Sequence, residues 1–182
     1  MLSIAVCDDE VIECCSLARQ IREILEERKL PCIIRRFRSG RELLEASESF
    51  DMVFLDIIMC ELDGMKTAQI FREKAFGGLL VFVSSSREYV FEAYDVEAFQ
   101  YLLKPVDEHK FAEVMQRAMW QLEREKEEMS LLIKADGSYM EVLAKNILYA
   151  ENEARKIVLH TKNMPESSYT FYEKMEVLEK RL

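Results

Sequence analysis

Residues 1–128 alternate short apolar runs with amphipathic stretches five times over, and few folds accept that pattern. Ser3–Cys7 (SIAVC) is continuously apolar, as a strand buried on both faces must be. Val11–Leu30 follows with Ile12, Cys15, Ala18, Ile21 and Leu25 at helical spacing, and Pro31 is expected to stop that helix. Cys32–Phe37 reads as a strand whose Arg35 and Arg36 suit an exposed edge. Ser39 is a helix N-cap, with Glu42 three residues on completing a capping box. Met52–Leu55, Leu79–Val83 and Phe99–Leu103 are the remaining strands. Asp63–Ala75 (ended by Gly77 and Gly78), Glu88–Val96 and Asp107–Glu128 are the remaining helices. The last helix turns Phe111, Val114, Met115, Ala118, Met119 and Leu122 inward.

Five βα units in series predict an α/β fold: a doubly wound, five-stranded parallel sheet covered by helices on both faces. The common flavodoxin-like strand order for five units is 2-1-3-4-5, with ligands bound outside the carboxyl ends of the first and third strands. The polar residues at those strand ends form one set. Asp8, Asp9 and Glu10 follow the first strand and Asp56 the third. Ser84–Ser86 follow the fourth, and Lys104-Pro105 the fifth. Taken singly, Asp8 or Asp9 could cap the helix near Val11, Ser84–Ser86 could be capping residues, and Lys104 could be a solvated lysine. Taken together, they converge on one edge of the sheet. Two unit charges ~4 Å apart repel by about 4 kcal/mol at an effective dielectric of about 20, so clustered carboxylates need cations. Lys104 supplies one charge, and a hard divalent ion with oxygen ligands, Mg²⁺ above all, would supply the rest.

The chain holds 25 Lys+Arg against 34 Asp+Glu, a net charge of −9. Residues 129–182 contain eight basic and eight acidic residues, so the whole excess lies in residues 1–128, with 17 basic and 26 acidic. That balance argues against a general nucleic-acid coat. No apolar run reaches the length of a membrane span, and the N-terminus lacks a secretory pattern. Cys7, Cys14, Cys15, Cys32 and Cys60 show no paired C-x-x-C spacing, which fits reduced thiols and a cytoplasmic protein with no membrane partner.

Asp8-Asp9, the apolar strand ending in Asp56, the Met59…Asp63-Gly64 stretch, Ser84 and Lys104-Pro105 together resemble the receiver domain of bacterial two-component response regulators, over about residues 1–125. The resemblance implies that Asp56 accepts a phosphoryl group from a phosphohistidine on a sensor histidine kinase. It implies Mg²⁺ ligation by Asp9, Asp56 and the backbone carbonyl of Ile58, with Asp8 acting mostly through water. Ser84 and Lys104 would hold phosphoryl oxygens, Tyr101 would be the switch aromatic, and the Lys104–Pro105 bond would be cis. Such a protein is a phosphoacceptor that catalyses only its own phosphotransfer and slow dephosphorylation, not an enzyme on a separate substrate. An aspartyl phosphatase would need a general-acid Asp two residues beyond the nucleophile, where this chain has Ile58.

Beyond the solvated helix end Gln121–Glu128, the pattern changes. Ser130–Ala135 and Ser138–Leu143 flank Asp136-Gly137, a two-residue hairpin signal. Ile147–Ala150 and Lys156–Thr161 form a second pair around Glu151–Arg155, and Tyr172–Leu182 has helical spacing. The stretch ILYAENEARKIVLHT, with the helix ending EVLEKRL, resembles the first half of the mostly-β LytTR DNA-binding domain, giving a partial effector domain over residues 126–182. Asn152, Arg155 and Lys156 fall in a loop where that family makes one set of DNA contacts; a solvated turn is the alternative. Half such a domain leaves an unpaired sheet edge and a small core. Two function classes follow. One is a phosphorylation-activated transcriptional regulator, homodimeric when phosphorylated, that acts on DNA through a complete effector domain. The other is a receiver whose output is protein–protein interaction only.

Overall fold

The computed structural model describes residues 1–182 apart from 61, 62, 75, 136, 180 and 182, and only the backbone of 126–128. The chain divides into two compact units, Met1–Met119 and Trp120–Leu182.

The first unit alternates strand and helix. Its strands are β1 (Leu2–Cys7), β2 (Cys32–Phe37), β3 (Met52–Leu55), β4 (Leu79–Ser84) and β5 (Gln100–Leu103). They pair in parallel in the order β2-β1-β3-β4-β5, as the alternation predicts. Every residue of β3 and β4 is buried, because helices cover both faces of the sheet. The helices are α1 (Val11–Glu27), α2 (Gly40–Glu45), α3 (Gly64–Glu73), the single turn α4 (Glu92–Asp95) and α5 (Glu108–Glu128), which runs across the boundary between the units. A separate 3-10 turn at Glu88–Val90 precedes α4, where the sequence suggested one helix over 88–96.

Local chemistry sets the helix ends. Ser39 caps α2, its hydroxyl accepting from the Glu42 N–H at 3.2 Å. The Glu42 carboxylate returns one residue early, to the Arg38 N–H at 2.7 Å rather than to that of Ser39. Asp63 caps α3 through the Lys66 N–H at 2.7 Å. Helix α1 stops at Glu27, three residues before the expected Leu30. Lys29 adopts a left-handed backbone (φ 57°) and the Leu30 N–H closes on the Leu25 carbonyl. Its buried stripe is Cys14, Leu17, Ala18, Ile21 and Leu25. Ile12, expected inside, is exposed, because the face that meets the sheet lies half a turn from it. The α3 helix ends at Glu73; Ala75, its expected last residue, lies outside the described residues. There the Arg72 guanidinium donates to the carbonyls of Phe76, Val96 and Glu97 at 2.7–2.9 Å, tying α3 to the end of α4.

The second unit is mostly β. A hairpin joins β6 (Ser130–Ala135) to β7 (Ser138–Leu143), closed by the Ala135–Ser138 pair, with Gly137 left-handed at φ 81°. Asp136, the other expected turn residue, lies outside the described residues. A three-stranded antiparallel sheet holds β8 (Ile147–Glu153), β9 (Lys156–Thr161) and β10 (Ser168–Phe171) in the order β10-β9-β8. A short helix α6 (Met175–Glu179) follows, in place of the longer one expected over 172–182, whose last residue, Leu182, is also undescribed. Leu131, Ile133, Val142, Ile157, Leu159, Tyr169, Phe171 and Leu178 pack together as its core.

One close approach fixes the front of the first unit. A Cβ built on Gly64 would stand 2.1 Å from the Asp56 carbonyl oxygen and 2.8 Å from Ile57 Cα. The Gly64 N–H bonds the Ile57 carbonyl at 2.9 Å across the same gap. Gly64→Ala must push α3 off the end of β3. A loss of about 3 kcal/mol is expected by chemical denaturation, and an unchanged midpoint would show that the loop after β3 yields freely.

Candidate functional site

The sheet delivers each polar residue to its carboxyl edge by backbone bonds. The Asp8 N–H donates to the Phe37 carbonyl (3.1 Å), that of Asp56 to Cys7 (2.9 Å), and that of Lys104 to Ser84 (2.9 Å). Each of these three residues directly follows its strand and is anchored to the strand beside it. The Lys104–Pro105 bond is cis.

Asp8, Asp9 and Asp56 each offer a carboxylate oxygen within 4.8 Å of the others. Asp8 and Asp56 are 3% and 5% exposed, and Asp9 is half-buried. The Lys104 ammonium donates to Asp8 Oδ2 and to Asp56 Oδ2, both at 2.8 Å. The remaining oxygens are partly satisfied by backbone. The Glu10 N–H serves Asp8 Oδ1 (2.9 Å), that of Ile58 serves Asp56 Oδ1 (3.2 Å), and that of Cys60 serves Asp9 Oδ2 (3.0 Å). Asp8 does not cap α1; Glu10 is the N-cap residue and makes no side-chain cap bond.

Three carboxylates face one ammonium, so the cluster is short of positive charge. Burial pushes the Asp8 carboxyl above its ordinary range, and the Asp56 charge adds to that; the bonds from Lys104 and the Glu10 N–H oppose it without prevailing. Burial works against the Lys104 charge too, but its bonds to Asp56 and Asp8 outweigh burial and raise its pKa. Three oxygen donors of this kind are a ligand set for a hard divalent cation such as Mg²⁺.

Ser84, the last residue of β4, is fully buried, and its hydroxyl accepts from the Ser86 N–H at 3.5 Å. Tyr101 on β5 is half-buried against Phe82, and its hydroxyl donates to the Ser86 carbonyl at 2.8 Å. Ile58 is half exposed beside Asp56. Two residues take parts here that the sequence does not show. Cys60 holds Asp9 through its backbone N–H, which carries no side-chain signal. Gly64 was legible in principle, as a glycine directly after a helix-capping Asp.

In the second unit, the expected loop over 151–155 is shorter than the sequence suggested. Strand β8 continues to Glu153, which pairs with Lys156, so the turn is Ala154-Arg155 alone, with Ala154 left-handed at φ 59°. Asn152 therefore sits on β8, Lys156 on β9 and only Arg155 in the turn. All three are exposed, and the Lys156 ammonium lies 5.1 Å over the Tyr172 ring. The sequence does not announce strand β10: SYTF alternates inward Tyr169 and Phe171 with outward neighbours, but over only four residues.

A family model described as the response regulator receiver domain matches residues 4–116. The chain belongs to the response regulator family. Sensory transduction protein LytT of Bacillus anthracis is 26% identical along all of this chain, which spans 77% of that protein. Transcriptional regulatory protein YpdB of Escherichia coli O6:H1 is 24% identical over 96% of the chain, again spanning 77% of the relative. Among solved structures, the response regulatory domain of protein mrkE from Klebsiella pneumoniae is 25% identical, with a TM-score of 0.59 over 68% of this chain and 99% of that one. That coverage corresponds to the receiver part of this response regulator. The LytT and YpdB matches run on through the β strands behind it.

The charge deficit of this receiver is open to test. Because burial raises the Asp8 pKa, the native state holds that proton more tightly than the unfolded chain does. Metal-free stability therefore falls as pH rises through the Asp8 titration, above the ordinary carboxylate value. Asp8→Asn keeps the shape and removes the charge. Its metal-free form is expected to gain about 0.5–2 kcal/mol at neutral pH, and added Mg²⁺ should raise the variant's melting point less than the parent's. A lower metal-free melting point would show that Asp8 is held favourably as the anion.

Proposed function

We propose that this chain is the phosphoacceptor of a two-component system, with Asp56 taking a phosphoryl group from a phosphohistidine of a sensor histidine kinase. The observation that supports this most is Lys104, whose ammonium joins Asp8 and Asp56 at 2.8 Å each in a buried cluster that still lacks positive charge. Asp8, Asp9, Asp56 and the Ile58 carbonyl would hold Mg²⁺, which when bound neutralises charge at the transferring phosphoryl group. An Asp56 oxygen attacks phosphorus, the P–N bond to the histidine breaks, and the imidazole leaves as the neutral base after taking up a proton. Lys104 passes from the Asp56 carboxylate to a phosphoryl oxygen, and the Ser84 hydroxyl donates to another. Ile58, apolar and half exposed, offers no group to orient a hydrolytic water.

The receiver is assigned residues 1–125 and the partial LytTR-like effector residues 126–182. Relatives named as a sensory transduction protein and a transcriptional regulatory protein support an output on DNA through a complete effector domain in the cytoplasm. At the tip of the β8–β9 hairpin, Asn152, Arg155 and Lys156 would serve as contacts there. The switch runs through Ser84 and Tyr101 to the face of α4, β5 and α5. Phe91 and Tyr94 stand 82% and 77% exposed on that face, beside acidic Glu88, Glu92 and Asp95, a mixture that suits a reversible homodimer.

Two measurements test this reading. Acetyl phosphate with Mg²⁺ should add one phosphoryl mass to the chain and none to Asp56→Asn; equal labelling of the variant would move the acceptor elsewhere. Beryllofluoride, an acyl-phosphate mimic, should raise the dimer fraction in sedimentation velocity when Mg²⁺ is present. Unchanged monomer and dimer populations would exclude the α4–β5–α5 face as the output.

A further inference from the structure

Strand β2 is an open edge of the sheet, paired only with β1 among the described residues. It also lies in the most basic part of an acidic domain. Residues 28–41 carry six Lys/Arg and no Asp/Glu, within residues 1–128 that carry 17 basic and 26 acidic. Arg36 and Arg38, two positions apart and so on one side of the chain, line a surface cavity of about 440 Å³ together with Val11 and Ile34.

Three guanidiniums, those of Arg35, Arg36 and Arg38, line this cavity against two carboxylates, those of Asp8 and Glu42. Neither acid bonds a guanidinium among the described residues: Asp8 Oδ2 accepts from the Lys104 ammonium, and Glu42 Oε2, which keeps its charge, accepts from the Arg38 backbone N–H at 2.7 Å. Arg36 Nη1 reaches only the sulfur of Cys15, at 2.7 Å, a weak acceptor. The Arg38 guanidinium has no acceptor among the described residues. Arg35, also at the rim, pairs with Glu48 at 3.2 Å. Two guanidiniums thus face a concave space without a carboxylate partner, beside apolar Val11 and Ile34.

We propose that this cavity binds a small organic polyanion, a molecule bearing at least two phosphate or carboxylate groups, with Arg36 and Arg38 as its charge partners. Guanidinium forks match both groups in bidentate geometry. The volume suits a metabolite, and the concave shape suits it better than a duplex or a flat protein surface. Val11 and Ile34 accept the carbon skeleton, and pairing with the anion relieves the concentration of positive charge on an otherwise acidic domain.

The test titrates the full chain, free of Mg²⁺ and at low salt, with pyrophosphate and with citrate, using glycerol as the neutral control. Binding is followed by calorimetry and amide chemical shifts. Saturable binding of one or both anions is expected, with shifts at residues 11–15 and 34–38. The double variant Arg36→Gln/Arg38→Gln should weaken it by about tenfold or more. Arg41→Gln removes a charge from the same basic stretch outside the cavity and should leave it nearly unchanged. Three results would overturn the proposal: no saturable binding of either anion, equal weakening by Arg41→Gln, or shifts centred on residues 84–86 and 104. The second would mean diffuse attraction, and the third would place the anion in the acidic cluster's own surroundings.

Discussion

Much of the receiver follows from the electrostatics of one ammonium between two buried carboxylates. Lys104 cannot reach Asp8 and Asp56 together unless β1 and β3 are neighbours and the end of β5 lies on the same edge, which is what the order β2-β1-β3-β4-β5 provides. Each partner alone would be a charged group taken from water without compensation, and such burial is strongly unfavourable. The fold therefore tolerates Asp56 because β5 returns a cation to it. It tolerates Asp9 in part because a backbone N–H, that of Cys60, points at its carboxylate. What remains is a deficit of positive charge, which costs folding stability and is what the proposed cation and phosphoryl group would offset.

That arrangement was largely legible in the sequence, for a physical reason. A parallel sheet covered on both faces makes its strands continuously apolar, so Met52–Leu55 and Leu79–Val83 stand out, and the first polar residue after each marks the sheet's edge. Asp8, Asp56, Ser84 and Lys104 could be gathered from this alone. Features set by the backbone were harder to read. Lys29 closes α1 in a conformation usually left to glycine, so nothing in its side chain announced the end. Ala18, Ile21 and Leu25 of the expected α1 stripe are buried, but in the first turns Ile12 and Cys15 form a regular pattern of their own, and only contact with the sheet selects Cys14 and Leu17 instead.

In the second unit β6, β7 and β9 fall where the sequence places them, and the differences lie in β8, β10 and the last helix. Its strands are exposed on one face, and β10 is only four residues long with two inward side chains, so its pattern is thin. β10 escaped notice for that reason, although Tyr169 and Phe171 complete the core beside Leu159 and Ile157. The β8–β9 connection looks like a loop in the sequence because Glu151–Arg155 is polar apart from Ala154. An exposed hairpin tip has no need of apolar residues, and Ala154 supplies the left-handed turn that a glycine or asparagine would have advertised. Polarity separates surface from core here, but not strand from loop.

The proposed switch depends on how little holds its elements in place. The Tyr101 hydroxyl is tied to the Ser86 carbonyl, and the Ser86 N–H approaches the buried Ser84 hydroxyl at a long 3.5 Å. A neutral hydrogen bond of this kind contributes about 1 kcal/mol net, whereas a bond from a hydroxyl to a phosphoryl oxygen is charge-assisted and roughly twice as strong. In the proposed switch, donation from the Ser84 hydroxyl to a phosphoryl oxygen would therefore outweigh the long bond that the hydroxyl now accepts. The segment it leaves, Ser85 to Val90, has only a 3-10 turn and the single turn of α4 beyond it to resist. Arg72 anchors the far end of α4 through the carbonyls of Val96 and Glu97. The proposed motion would thus be confined to the stretch between the Ser84 hydroxyl and the Arg72 guanidinium, the stretch that carries Phe91 and Tyr94.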